Sequence, residues 1–430
     1  MFNFSFFCDY ARAHRAFGVL VCSAWLSSHA LAQTASQQSV PAPLPAPTLK
    51  QALDAAWRLS PSTRAESNRR SELAAKEKAA TSWISGEPVA GIAHRTDRLN
   101  RNEGFREYEA ELELPLWNPG VRTAVQADIA AQRLGFDGQW LLAKLKLAGE
   151  LRTLSANAAT AQVELDLNKR KLLDATALAQ DLNRRVKVGE NARVDGLQAE
   201  VLVQQAQTAM AQANSQLTRL QNQWRSLTGL AVVSPPDETF ASLAGNAADA
   251  APVSPDHPAL RYSQALVNSA QARLALADAD KRDPMAIGVG VARERANFSG
   301  ANETKLRIAL RIPLGGDNRN APRRAAARAE LDSAQAEADA ALKQLPAEAA
   351  AASADLRGAR AAQVAARERV RLSTEVQTLI TKSWRLGESD LPARLRADNE
   401  QFEASLSLAR ATIDVQRAIA NLNQAHGILP

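Results

Sequence analysis

Two stretches of the chain alternate strictly between polar and apolar residues. Across 107–120 (EYEAELELPLWNPG), Glu107, Glu109, Glu111 and Glu113 share one face, and Tyr108, Ala110, Leu112 and Leu114 share the other. A period of two marks a strand. The same arrangement returns at 304–315 (TKLRIALRIPLG). Leu306, Ile308, Leu310 and Ile312 are apolar, and Lys305, Arg307 and Arg311 lie opposite, with Ala309 among them. A shorter run precedes each stretch, and in the second of these Ile287, Val289 and Val291 share a face. Four hairpin strands are expected, at about 88–97, 105–116, 284–295 and 304–314, with Pro115 ending the second ladder. A face with four carboxylates needs water, while its opposite face needs apolar surroundings. A barrel wall between lipid and a wet lumen satisfies both; the plainer alternative is a soluble edge strand. On the barrel reading the Glu and Lys/Arg residues line the lumen. Tyr108, Leu112, Leu114, Leu306, Ile308, Leu310 and Ile312 then face lipid.

The remainder reads as helix. Thr48 is a candidate cap for a stripe of Leu49, Ala52, Leu53, Ala56 and Trp57, and Ser60-Pro61 interrupts it. Residues 121–187 contain no proline and keep apolar residues at spacings of three and four, which makes a rod of roughly 100 Å. Helices are also expected over 194–227, 257–281, 321–385 (broken only at Pro346) and 391–426. Val188-Gly189-Glu190 and Leu386-Gly387-Glu388 mark the turns between long helices. Pro115 and Pro313, these two turns, Leu197 and Leu395, and Gly229 and Gly427 all keep an offset of 198 residues. A constant offset means two structural repeats with matched helix lengths. In the first repeat the helix before the hairpin and the helix after the tip together nearly match the long helix between them, so the two can stack end to end beside it.

Composition narrows the classes. The 430 residues carry a net charge of +6, yet no run of five Lys/Arg occurs and the charges are interleaved, so solvated helix faces are expected and nucleic acid is not. No stretch offers about 18 consecutive apolar residues, which excludes a transmembrane helix but not a barrel. The first 32 residues read as a secretory signal with cleavage before Gln33. Both cysteines, Cys8 and Cys22, lie upstream of that cut, which removes thiol chemistry from the mature chain. Val21 precedes Cys22 where a lipidation signal wants a small residue. A Pro-rich leader (33–47) and a linker (231–256) frame the first repeat, 48–230; the second is 257–430. His94, His257 and His426 are isolated in sequence. No catalytic, cofactor or metal constellation is present, and no enzyme is expected.

The doubled order of helix, hairpin, long helix, tip and helix resembles the TolC family of outer-membrane efflux proteins. The likeness covers nearly all of the mature chain. It includes the strand exits Leu114-Pro115-Leu116 and Ile312-Pro313-Leu314, and the tip Val188-Gly189 followed by Asp195-Gly196-Leu197-Gln198-Ala199. The resemblance implies a mainly α fold, with four strands per subunit joined in a homotrimeric twelve-stranded barrel above a helical periplasmic tube. It further implies a passive exit duct in the outer membrane of a Gram-negative bacterium. Its tips (Val188, Gly189, Glu190, Leu386, Gly387, Glu388) would meet a periplasmic adaptor that links to an inner-membrane pump. Asp195 and Asp390 are the candidate gate residues. Ala393 stands where the second repeat should match Asp195, which departs from the family pattern. The short chain resembles the members paired with heavy-metal cation pumps of the resistance-nodulation-division class; drug efflux and type I secretion remain alternatives. A non-pore periplasmic adaptor or coiled-coil scaffold is the competing class.

Overall fold

The computed structural model describes residues 46–239, 252–315 and 317–430. The expected signal segment, both cysteines, nearly all of the leader and the middle of the linker lie outside the described residues.

Helix α1 (Leu49–Leu59) starts with a capping box: Thr48 Oγ1 accepts from the Gln51 backbone, and the Gln51 side chain accepts from the Thr48 backbone. Ser60 is extended. It both stops α1 and caps α2 (Pro61–Thr81), with Pro61 at the first helical position. The strands are β1 (Val89–Thr96), β2 (Arg106–Leu116), β3 (Met285–Arg295) and β4 (Glu303–Arg311). The long helices are α3 (Val121–Lys187) and α6 (Asp317–Arg385). Their partners are α4 (Arg193–Thr228), α5 (Pro258–Ala279) and α7 (Leu391–Ala425). At 67 residues, α3 is roughly 100 Å long.

Both long helices end in the same way. Gly189 (φ +81°) and Gly387 (φ +78°) take the left-handed conformation that a Cβ disfavours. The following amides reach back, Glu190 to the Arg185 carbonyl and Glu388 to the Ser383 carbonyl, as in a Schellman cap.

Two expectations about proline need correction. Pro115 does not end the second ladder. It lies inside β2 opposite Ala286, and its carbonyl accepts from the Ser85 N–H at 3.0 Å. Proline lacks only the donor, so a strand can pass through it. Pro346 does not break α6, which continues through both Pro322 and Pro346. Leu345, Ala349 and Ala352 stay buried around it, so side-chain packing carries the helix across the missing hydrogen bond. At the second exit the ladder stops at Arg311, and Ile312 lies just beyond it.

All four strands pair antiparallel in the order β1-β2-β3-β4. Below them the helices form four columns. α3 packs on α2 and α4, then on α5 and α7, and these two pack on α6. Short helices thus stack beside long ones, as their lengths require. The result is an open layer with two free sides. One consists of β1, α2 and α4; the other consists of β4 and α6. α1 covers the junction of the first two columns, where Leu53, Ala148, Leu151 and Trp224 are fully buried. The interhelical core is rich in alanine, which lets the helix backbones approach closely.

Candidate functional site: the two faces of the sheet

Strand register sorts the sheet into two chemically distinct faces. One carries Arg95, Glu107, Glu109, Glu111, Glu113, Glu294, Glu303, Lys305, Arg307 and Arg311, six carboxylates and four cations. The other carries Ile92, Leu112, Val289, Val291, Leu306, Ile308 and Leu310, all exposed; Ile92 is 90% and Ile308 70% exposed. Tyr108 lies on this second face, stacked on His94 at 4.4 Å between centroids. Leu114 is on it too, half-buried.

On the polar face, β3 presents only Ala286, Gly288, Gly290 and Ala292 beneath its terminal Glu294. These small residues let side chains from β2 and β4 meet across it. Arg307 reaches Glu109 at 2.8 Å and Arg311 reaches Glu113 at 2.7 Å. Arg95 of β1 holds Glu107 at 3.2 Å. Lys305 does not reach across to β2 and engages Glu294 and Glu303 on β3 and β4. The Glu109 and Glu113 side chains are only 15% and 24% exposed beneath their arginines. Such surface pairs contribute about 0.2–1 kcal/mol each. Glu111 is different. Among the described residues no cation or hydrogen-bond donor reaches it, and its Oε1 lies over β3, 2.6 Å from where a Cβ on Gly288 would sit. The polar face therefore keeps an excess of negative charge that centres on Glu111.

At the far end of the helices, Val188, Glu190, Leu386 and Glu388 are exposed around the two left-handed glycines. Asp195 accepts from Asn191 Nδ2 at 3.2 Å, and Asp390 caps α7 by accepting from the Ala393 N–H at 2.9 Å. The structure thus gives both candidate gate carboxylates local bonds within their own turns. Above them a cavity of about 1190 Å³ opens between α3, α4, α6 and α7, lined by Lys171, Asp174, Trp384, Arg394, Asp398 and Phe402 among others. Arg185 and Arg394 both stack on Trp384, at 4.6 and 4.1 Å from the ring centroid. Burial pushes the Arg394 guanidinium below its usual range, against the pull of Asp398.

Three features were missed in the sequence. Arg95 is on the polar face by parity alone, a signal that was present. The roles of Gly288 and Gly290 needed the β2–β3 register. The buried Arg152 sits in an unremarked stretch of α3. Of the isolated histidines, His257 is buried and caps α5, with Nδ1 accepting from the Ala259 N–H at 3.1 Å. No group of three or more metal-ligating side chains occurs among the described residues.

No protein-family model matches the sequence, and no curated protein matches it. Solved structures do match in fold. A membrane protein from Pseudomonas aeruginosa superposes with a TM-score of 0.72 at 19% identity, covering 88% of this chain and 90% of that one. The outer membrane protein VceC from Vibrio cholerae gives 0.69 at 14% identity, over 88% of this chain and 96% of its own. The open state of the Neisseria gonorrhoeae MtrE outer membrane channel gives 0.68 at 17%, over 89% of each. This chain has the outer-membrane channel fold. That is the fold the TolC-family resemblance implies, and the match extends over nearly the whole of the neighbours. Among the described residues no helix is long and apolar enough to cross a membrane, and the exposed aliphatic band lies on the sheet.

Proposed function

We propose that the protein is an outer-membrane exit duct. A homotrimer would close the open layer into a twelve-stranded barrel continued by a helical tube. The observation that carries this reading is the four-stranded sheet with exposed aliphatic residues on one face, charge on the other, and, among the described residues, no strand beyond β1 or β4. Four strands do not close a barrel, and an exposed edge seeks another strand. The helical layer has the same need. Its flanking columns expose Val194, Leu197 and Val201 on α4 and Val364, Val376 and Leu379 on α6. In the closed assembly the Glu111 face lines the lumen, the Leu112 face meets lipid, and the duct extends from the outer membrane of a Gram-negative bacterium into the periplasm. The turns at Gly189 and Gly387 would receive a periplasmic adaptor joined to an inner-membrane pump. The duct is passive; heavy-metal cations, drugs and secreted proteins are the cargo classes it would serve.

Paired cysteines test the closure. Ile92→Cys on β1 and Ile308→Cys on β4 lie on the two edge strands of one sheet. Oxidation of the membrane-inserted protein is expected to give a ladder that ends at the trimer. A product confined to monomer argues against closure. Release from the membrane by salt, without detergent, points to the adaptor or scaffold class instead.

A further inference from the structure

The apolar face of the sheet carries charge at one end only, next to the hairpin loops. Arg106 and Arg295 are direct register partners there, and Arg293 pairs with Tyr108 one step below. All three arginines stand on the same face as Leu112, Val289 and Leu306, because strand parity is fixed by the register. Partner side chains in such a ladder start only about 5 Å apart, and like charges placed opposite each other are destabilising. Among the described residues none of the three has a carboxylate partner. Arg106 and Arg293 are exposed, and Arg295 is held by the Gly104 carbonyl at 3.4 Å and by the Phe298 ring. Three nearby carboxylates are engaged elsewhere. Glu107 and Glu294 occupy the opposite face with Arg95 and Lys305, and Asp97 accepts from the Glu103 N–H at 2.7 Å. Thr96, His94 and Tyr108 complete the rim with hydroxyl and imidazole groups.

We infer that these arginines form a binding site for the phosphate groups of an outer-leaflet lipid. The inference rests on the reading of this face as lipid-facing. An anionic headgroup at this level would relieve the repulsion between Arg106 and Arg295, and guanidinium forks match phosphate oxygens in pairs. The acyl chains of the same lipid would lie on the aliphatic band directly below. The occupant is therefore an anionic lipid with phosphate on its headgroup, and lipid A of the outer leaflet has this chemistry.

The test uses the full-length protein in nanodiscs of phosphatidylcholine, titrated with bisphosphorylated lipid A and, separately, with lipid A from which phosphate has been removed. Labelled lipid that stays with the protein after the nanodiscs are dissolved in detergent and gel-filtered is the readout. Wild type is expected to retain the bisphosphorylated form and to discriminate against the dephosphorylated one. Arg106→Gln, Arg293→Gln and Arg295→Gln combined are expected to weaken retention on the order of a hundred-fold. Arg307→Gln, on the opposite face, is expected to leave it unchanged. The triple variant removes like charges, so its mobility on an unheated gel should match wild type; Arg293→Gln alone gives a second, milder measurement. Equal retention by wild type and triple variant, or equal retention of both lipid forms, overturns the site while leaving the duct intact. Failure of wild type to enter nanodiscs at all overturns the lipid-facing reading, and the site with it.

Discussion

Arg152 and Glu238 are joined by two parallel charge-assisted hydrogen bonds, Nε to Oε2 at 2.8 Å and Nη2 to Oε1 at 2.9 Å. The arginine side chain is 2% exposed and the glutamate 11%. Arg152 also donates to Gln424 at 2.7 Å and to the Ile428 carbonyl at 2.9 Å. One side chain from the middle of α3 therefore ties together the segment after α4 and the end of α7. Removing one partner of a buried pair strands a charge, which costs about 3–5 kcal/mol. Glu238→Ala should lower the unfolding temperature in detergent sharply. Arg152→Met with Glu238→Leu should cost less than the two single changes added together, since no charge is left buried. Additive losses in a double-mutant cycle would contradict this.

The two glycines of β3 should respond differently to alanine. A Cβ on Gly288 meets the Glu111 carboxylate oxygen, the free end of a flexible side chain. A Cβ on Gly290 meets the Ala110 backbone carbonyl at 3.1 Å, which cannot swing away. Gly288→Ala is expected to keep the assembly and displace Glu111. Gly290→Ala is expected to lower the heat resistance of the assembled form on unheated gels.

Acid should weaken the junction of α5, α6 and α7. His257 is 3% exposed, and burial lowers its affinity for a proton; His426 also disfavours the charge, while Glu348 pulls the other way. Lys146, Asp355 and Gln424 line the same cavity. Burial lowers His426 too. The unfolded chain therefore takes up protons first, near the ordinary value of 6.5. Stability is full above that pH and is lost as pH falls through and below it. Protonation also destroys the cap, because Nδ1 must stay bare to accept from Ala259. His257→Asn keeps a capping acceptor and should flatten the pH dependence of thermal stability below 6.5.

Trp384 is 7% exposed and holds two guanidinium groups, one from α3 and one from α7. Trp384→Ala removes a large buried ring, at a cost of about 3–5 kcal/mol, and leaves Arg185 and Arg394 without their shared aromatic surface. Hydrogen exchange should speed up along the last turns of α6 and the first turns of α7, with β1–β4 unchanged. Uniform acceleration would argue against a local role.

Much of this architecture was legible in the sequence because its parts are long and periodic. The alternation through Glu107–Glu113 fixes which residues share a face, and the spacing of Gly189 and Gly387 sets helix lengths. Local rules make Pro115 a ladder end and Pro346 a helix break, and packing overrides these rules at both sites. Contacts between distant segments left no local trace. Arg152 meets Glu238 across 86 residues, and Arg307 meets Glu109 across 198. The three arginines at the rim became a group only once the β2–β3 register put Arg106 opposite Arg295.

The most direct test of the duct is single-channel conductance of detergent-purified protein in a planar bilayer, with an unheated gel lane for size. A trimer-sized species with discrete conductance steps and a preference for cations is predicted. Glu111→Gln removes the carboxylate that no arginine reaches among the described residues, so it should reduce that preference without changing the oligomer. A monomer that stays in solution without detergent and never conducts would contradict the account.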